Sequence, residues 1–149
     1  MAESDLIRII LAPAFLTILV VVVKKKKHVA ARLLMAIGVL HLLAGSWVGR
    51  DILARFARES MLGGADSGLG DIPANVEKEM VFWFELWGVW LIFLGQLLTS
   101  LEKQGGRPPA AFAWGFVAAC LVSGIFVPKG GFWWLLIPAF LIVRDSRKS

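Results

Sequence analysis

The sequence predicts an all-α fold, an integral membrane bundle of four to five transmembrane helices with a short external amphipathic helix. Three observations predict it. First, 58% of the 149 residues are hydrophobic and the mean hydropathy is +0.73, more apolar surface than the polar exterior of a soluble domain allows. Second, apolar runs near membrane-crossing length recur along the chain. Third, the net charge of +5 comes from basic residues set in short clusters beside those runs, not on a face of their own. That pattern belongs to membrane topology and lipid headgroups, and no nucleic-acid-binding motif competes with it. One membrane domain over residues 1–149 is the natural count.

The first apolar run covers residues 6–23. Glu3 and Asp5 precede it, and Lys24, Lys25, Lys26 and Lys27 follow where a signal peptide would carry a small-residue cleavage site, so it reads as an uncleaved anchor. The lysines hold their end in the cytoplasm and put the N-terminus outside. His28 continues the lysine run and reads as a solvated interface residue.

Residues 30–48 form the second helix. Its His41 face also carries Ala30, Leu34, Ile37, Gly38, Ala44, Gly45 and Gly49, and these small residues allow another helix to approach closely. Arg32 lies on the opposite side, within reach of headgroups. The long connection 50–79 follows on the external side. Residues 50–62, RDILARFARESML, make a short amphipathic helix that lies along the interface or caps the bundle, and 63–75 is a glycine-rich loop.

Residues 80–98, MVFWFELWGVWLIFLGQLL, are the third span. On a helical wheel Glu85, Val89, Ile92 and Gln96 share one side, with Gly88 and Gly95 at its edge, while Trp83, Trp87, Trp90 and Leu94 form the opposite side. The turn-rich segment 99–109 leads to a fourth helix, 110–127, opened by Pro108 and Pro109 where proline is tolerated. Its small-residue face is Ala111, Gly115, Ala118 and Ala119. The last run, 132–143, has 12 apolar residues and contains Pro138, so it is either a short tilted span or a re-entrant segment.

Five crossings put the C-terminus in the cytoplasm. In that topology ten basic residues lie inside (Lys24 to Lys27, Arg32, Lys103, Arg107, Arg144, Arg147, Lys148) and six outside (Arg8, Arg50, Arg55, Arg58, Lys78, Lys129). The cell membrane, inner or plasma, is the corresponding location.

Three stretches carry a resemblance: RLLMAIGVLHLLAGSWVGRDILA (32–54), FWFELWGVWLIFLG (82–95) and AWGFVAACLVSGIFVPKGGFWWLLIPAFLIV (113–143). From residue 31 to 143 the chain resembles a family of small bacterial integral membrane proteins catalogued as a domain of unknown function. The resemblance implies a four-helix protein beginning at the helix that carries His41, to which 6–23 adds one helix. It brings no activity, cofactor or catalytic residue.

The spans hold no catalytic triad, metal-ligand cluster or phosphate loop, and no cofactor is expected. Cys120, the single cysteine, reads as a buried thiol. The candidate intramembrane polar site is His41, Glu85, Gln96 and Arg50, because ionisable groups inside a span are costly and usually have a partner or a task. His41 lies seven residues before one helix leaves the membrane and Glu85 five after the other enters. Both are therefore about 8 to 10 Å below the external boundary, which predicts that they hydrogen-bond directly or through one water, near an externally open cleft that Arg50 helps to line. Gln96 is expected to bond across helices. Gly38, Gly45, Gly49, Gly88 and Gly115 are the expected packing positions.

The functional expectation is a non-enzymatic structural, accessory or lipid-interacting component, with the bilayer, and a homo-oligomer or a membrane protein, as partners. A carrier using Glu85 and an enzyme using a His41–Glu85 acid–base pair are the alternatives.

Overall fold

The computed structural model describes residue 17 and residues 28–59 and 72–147, with the backbone alone described at 56, 59 and 72–75. The first apolar run lies outside the described residues except for Thr17, which is helical. So do the four lysines and residues 60–71.

Five helices and no strand make up the described segments: α1 (Val29–Val48), α2 (Arg50–Glu59), α3 (Ile72–Lys103), α4 (Ala110–Phe126) and α5 (Phe132–Ser146). Two are long and apolar enough to cross a membrane, α1 with 20 residues and α3 over Val76–Lys103 with 28. α4 has 17 residues and α5 has 15, short of the roughly 20 that a straight crossing needs. The third helix is longer than its apolar core at both ends. Four residues placed in the loop, 72–75, form its first turn, and Glu102 and Lys103 continue it beyond residue 98. Hydrophobic periodicity locates the part of a helix that is buried or in lipid, and a polar extension carries no such signal.

The ends follow from local chemistry. α3 stops in a Schellman arrangement, with Gly106 N–H donating to Leu101 O (3.0 Å) and Gly105 N–H to Glu102 O (3.1 Å). Gly105 has φ +75°, the left-handed conformation that glycine adopts without a Cβ penalty. Pro109 then precedes α4, its carbonyl accepting from Ala113 N–H at 3.0 Å. Between α4 and α5, Gly130 N–H bonds Val127 O (2.8 Å) and the Trp133 indole N–H bonds Pro128 O (3.0 Å), which fixes a tight turn.

Contacts divide the chain into two units, Met1–Ile37 with Ile92–Ser149, and Gly38–Leu91. The first has a side-chain core. Ala30, Ala31, Leu33 and Leu34 of α1, Leu98 of α3, Ala113, Val117 and Cys120 of α4, and Leu135, Pro138, Ala139, Ile142 and Val143 of α5 are buried. Within it α4 buries one stripe, Ala113, Val117, Cys120 and Gly124, against α5. A Cβ on Gly124 would lie 3.0 Å from the Trp133 ring, and the Arg147 guanidinium sits 5.4 Å from the Trp114 ring centroid at the other end of the pair. The second unit is different, because its buried positions among the described residues are Gly38, Gly45, Gly49, Gly88 and Leu91. Here two helices are held by backbone approach.

Candidate functional site

Glu85 is positioned by the glycines of the second unit. A Cβ on Gly45 would lie 2.5 Å from Glu85 Oε1 and 2.7 Å from the Phe84 ring, so only glycine lets these side chains lie against α1. Facing it, a Cβ on Gly88 would meet Leu42 at 2.8 Å and Gly38 O at 3.1 Å. The expected packing roles of Gly38, Gly45 and Gly88 coincide with these close approaches. Gly49 adds another, with Val81 at 3.0 Å.

The carboxylate accepts one hydrogen bond, from Ser46 Oγ at 3.3 Å. His41 is occupied otherwise. Its ring stacks on Phe84 with centroids 3.7 Å apart and planes 16° apart, and its buried Nε2 has no hydrogen-bond partner among the described residues. The direct His41–Glu85 bond expected from equal depth is therefore not formed. His41 touches the residue next to Glu85 instead, and one residue along a helix turns a side chain by about 100°. Ser46 and Phe84 were not singled out from sequence. Both are neighbours in the chain of residues that were, and only the pairing of α1 with α3 gives them their roles.

Arg50 is exposed and belongs to a separate cluster. Its guanidinium lies over Trp47, 5.5 Å from the ring centroid, and Nε is 4.0 Å from Asp51. α2 follows α1 almost without a break. Gly49 N–H donates to Gly45 O (2.7 Å) and Leu53 N–H to Gly49 O (2.8 Å), so helical bonding runs from α1 into α2. Arg55 then reaches Glu77 at 2.9 Å, and α2 thus continues the pairing with the polar first turns of α3. This exposed ion pair itself contributes little, about 0.2–1 kcal/mol.

The remaining candidates separate. Gln96 is exposed and makes no bond across helices among the described residues. Gly115 is open, with nothing within 4 Å of an added Cβ, and Ala111, Ala118 and Ala119 are exposed beside it. The small face of α4 points out, and no described residue packs against Gly115, which was expected as a packing position. Small residues show where a helix can approach, not that one does.

His28 is the other correction. It is not solvated: its Nδ1 meets Glu102 Oε2 with both side chains about four-fifths buried. Nδ1–H can donate to the carboxylate whether the ring is neutral or protonated. The residue has φ +57°, and its carbonyl accepts from Arg32 N–H at 3.0 Å, so it opens α1. One turn on, Arg32 is partly buried and its Nη1 has no partner among the described residues.

Chemically, Glu85 is a carboxylate with one hydroxyl donor and free acceptor capacity, able to take a proton or a cation. No group of three or more His, Cys, Asp or Glu among the described residues could hold a metal. Residues 25–149 match a family described as a family of unknown function (DUF6463). No curated protein and no solved structure matches the chain.

Proposed function

The chain belongs to the DUF6463 family of unknown function, and we propose that it is a small multi-pass protein of the cell membrane with a structural, accessory or lipid-interacting role and no catalysis. The observation that carries this is the outward surface of α1 and α3. Val39, Leu43 and Trp47 on one helix, and Phe82, Trp83, Trp87, Trp90, Phe93 and Leu97 on the other, are exposed apolar side chains. Water would penalise such a surface, whereas lipid does not. Five crossings, with the N-terminus outside and the C-terminus in the cytoplasm, give the basic residues their inward bias.

The test is fractionation followed by labelling with an impermeant thiol reagent. The protein stays in the membrane pellet through a carbonate wash. Cysteines placed at Ser4 and Ser67 are labelled on intact cells, and one at Ser149 only after permeabilisation. Labelling of Ser149 on intact cells rules out five crossings and leaves 132–143 re-entrant.

The Ser46–Glu85 contact supports a second reading, a carrier for a small cation or a proton-coupled substrate. Uptake into proteoliposomes that Glu85→Gln abolishes distinguishes it; uptake unchanged in that variant excludes Glu85 as the coupling group.

A further inference from the structure

We propose that the end of the first unit where α4 begins and α5 stops binds the phosphate headgroups of anionic phospholipid, with Arg147 over Trp114 as the central contact. The inference rests on the membrane reading above and gives its lipid-interacting role a site and a lipid class.

The placement follows from contacts within the unit. α4 and α5 run antiparallel, because Gly124 meets Trp133 beside the tight turn and Trp114 meets Arg147 at the far end. The last turn of α5 therefore lies beside the first turns of α4. Arg107, two residues before Pro109, enters at the same end. α3 stops there as well, since residues 104–109 alone join Lys103 to Ala110. In its last turn Glu102 holds His28, which brings the start of α1 to this end too.

Charge separates the two ends of the pair. At this end the described residues supply Arg32, Lys103, Arg107, Arg144 and Arg147 against Glu102 and Asp145, so cations are in surplus. Both acids are engaged, Glu102 by His28 and Asp145 by Arg144 at 3.1 Å. Lys103, Arg107 and Arg147 are exposed. In the chain Lys24 to Lys27 come just before His28, and Lys148 just after Arg147. Between Arg107 and Arg144 the one charged residue is Lys129, in the turn at the opposite end.

Such a cluster suits phosphate, and the Trp114–Arg147 contact favours a headgroup over another anion. Trp114 lies about 6 Å along α4 from its first residue, a depth at which an indole sits among headgroups. The Arg147 guanidinium is 5.4 Å from that ring's centroid. A cation–π contact of this kind engages the face of the guanidinium and leaves its in-plane N–H groups to donate. Those N–H groups form the planar fork that grips phosphate oxygens in pairs.

The test is thermal unfolding of the purified full chain in neutral detergent, titrated with phosphatidylglycerol. This lipid raises the unfolding temperature with dose, and less so at high salt, whereas phosphatidylcholine and inorganic phosphate leave it unchanged. Arg147→Gln weakens the apparent affinity about fivefold, the effect of one basic residue at an anionic surface. Arg147→Lys keeps the charge without the fork and recovers only part of that loss. Trp114→Leu weakens binding in the same direction, and Lys129→Gln binds as the wild type does. If Trp114→Leu does not fold, the other three variants still decide. Stabilisation by phosphatidylcholine or inorganic phosphate to the same extent overturns the proposal. So does wild-type affinity in Arg147→Gln or Arg147→Lys, an equal loss in Lys129→Gln, or stabilisation by an acidic protein alone. Recovery of the protein from the soluble fraction overturns the membrane reading instead.

Discussion

The two units of this chain hold helices together in opposite ways. The unit of Met1–Ile37 and Ile92–Ser149 fills its interior with side chains, of which Leu33, Leu34, Pro138 and Ile142 are the largest fully buried. In Gly38–Leu91 four of the five buried positions among the described residues are glycines, and the large apolar residues Leu43, Trp47, Trp83, Trp87 and Trp90 are exposed. Lipid tails are as apolar as leucine, so a helix pair in a membrane gains little by hiding a large side chain and more by close van der Waals contact. The comparison teaches that a helix pair can be specified by residues with almost no side chain.

Substitutions can break that contrast. The largest effect belongs to the side-chain core: Leu34→Ala opens a cavity at a fully buried position and costs about 2–3 kcal/mol. Leu43→Ala, on the exposed side of the glycine unit, costs under ~0.5 kcal/mol. Thermal unfolding in detergent followed by circular dichroism measures both, and equal losses would mean that the large side chains of the second unit are packed after all.

Next comes Gly45→Ala, expected to cost about 1–2 kcal/mol. The new methyl would meet the Glu85 carboxylate and the Phe84 ring, which are side chains that can give way, so the loss stays below that of a backbone collision. The same variant pushes Phe84 off His41, and hydrogen exchange over 81–88 rises. Gly105→Ala is smaller, about 1 kcal/mol, because it forces a side chain into φ +75° with no clash. Ser46→Ala removes the hydrogen bond from Ser46 to Glu85 and costs about 0.6 kcal/mol, the size of a side-chain bond between apolar helices. Gly115→Ala comes last. It meets open space and should lose no protomer stability; helix propensity could add up to about 1 kcal/mol. A loss there would place a neighbour against α4.

Several elements were legible from residues alone because a local period or breaker marks them. The His41 helix is set by a long apolar run and the start of α4 by Pro108 and Pro109, whereas α3, expected to end at residue 98, runs on to Lys103. The first turns of α3 were not, since 72–75 carry no apolar periodicity and resemble a loop. Glu85 was picked out by the cost of a carboxylate in a span. Its partner was missed, because Ser46 has no distinguishing feature until Gly45 brings α3 onto α1.

The sequence by itself determined the helical class, the apolar character and the rule that glycine marks possible close approach, since each depends on composition and on a period within one segment. Tertiary structure decided which glycines are used. Gly45 and Gly115 both sit on small-residue faces, yet one is pressed by Glu85 and Phe84 and the other meets nothing within 4 Å. It also decided that His28 binds Glu102, 74 residues away in the chain, instead of facing water. Both outcomes depend on which helix lies opposite and at what rotation, and a shift of one residue in that pairing changes the answer by about 100°.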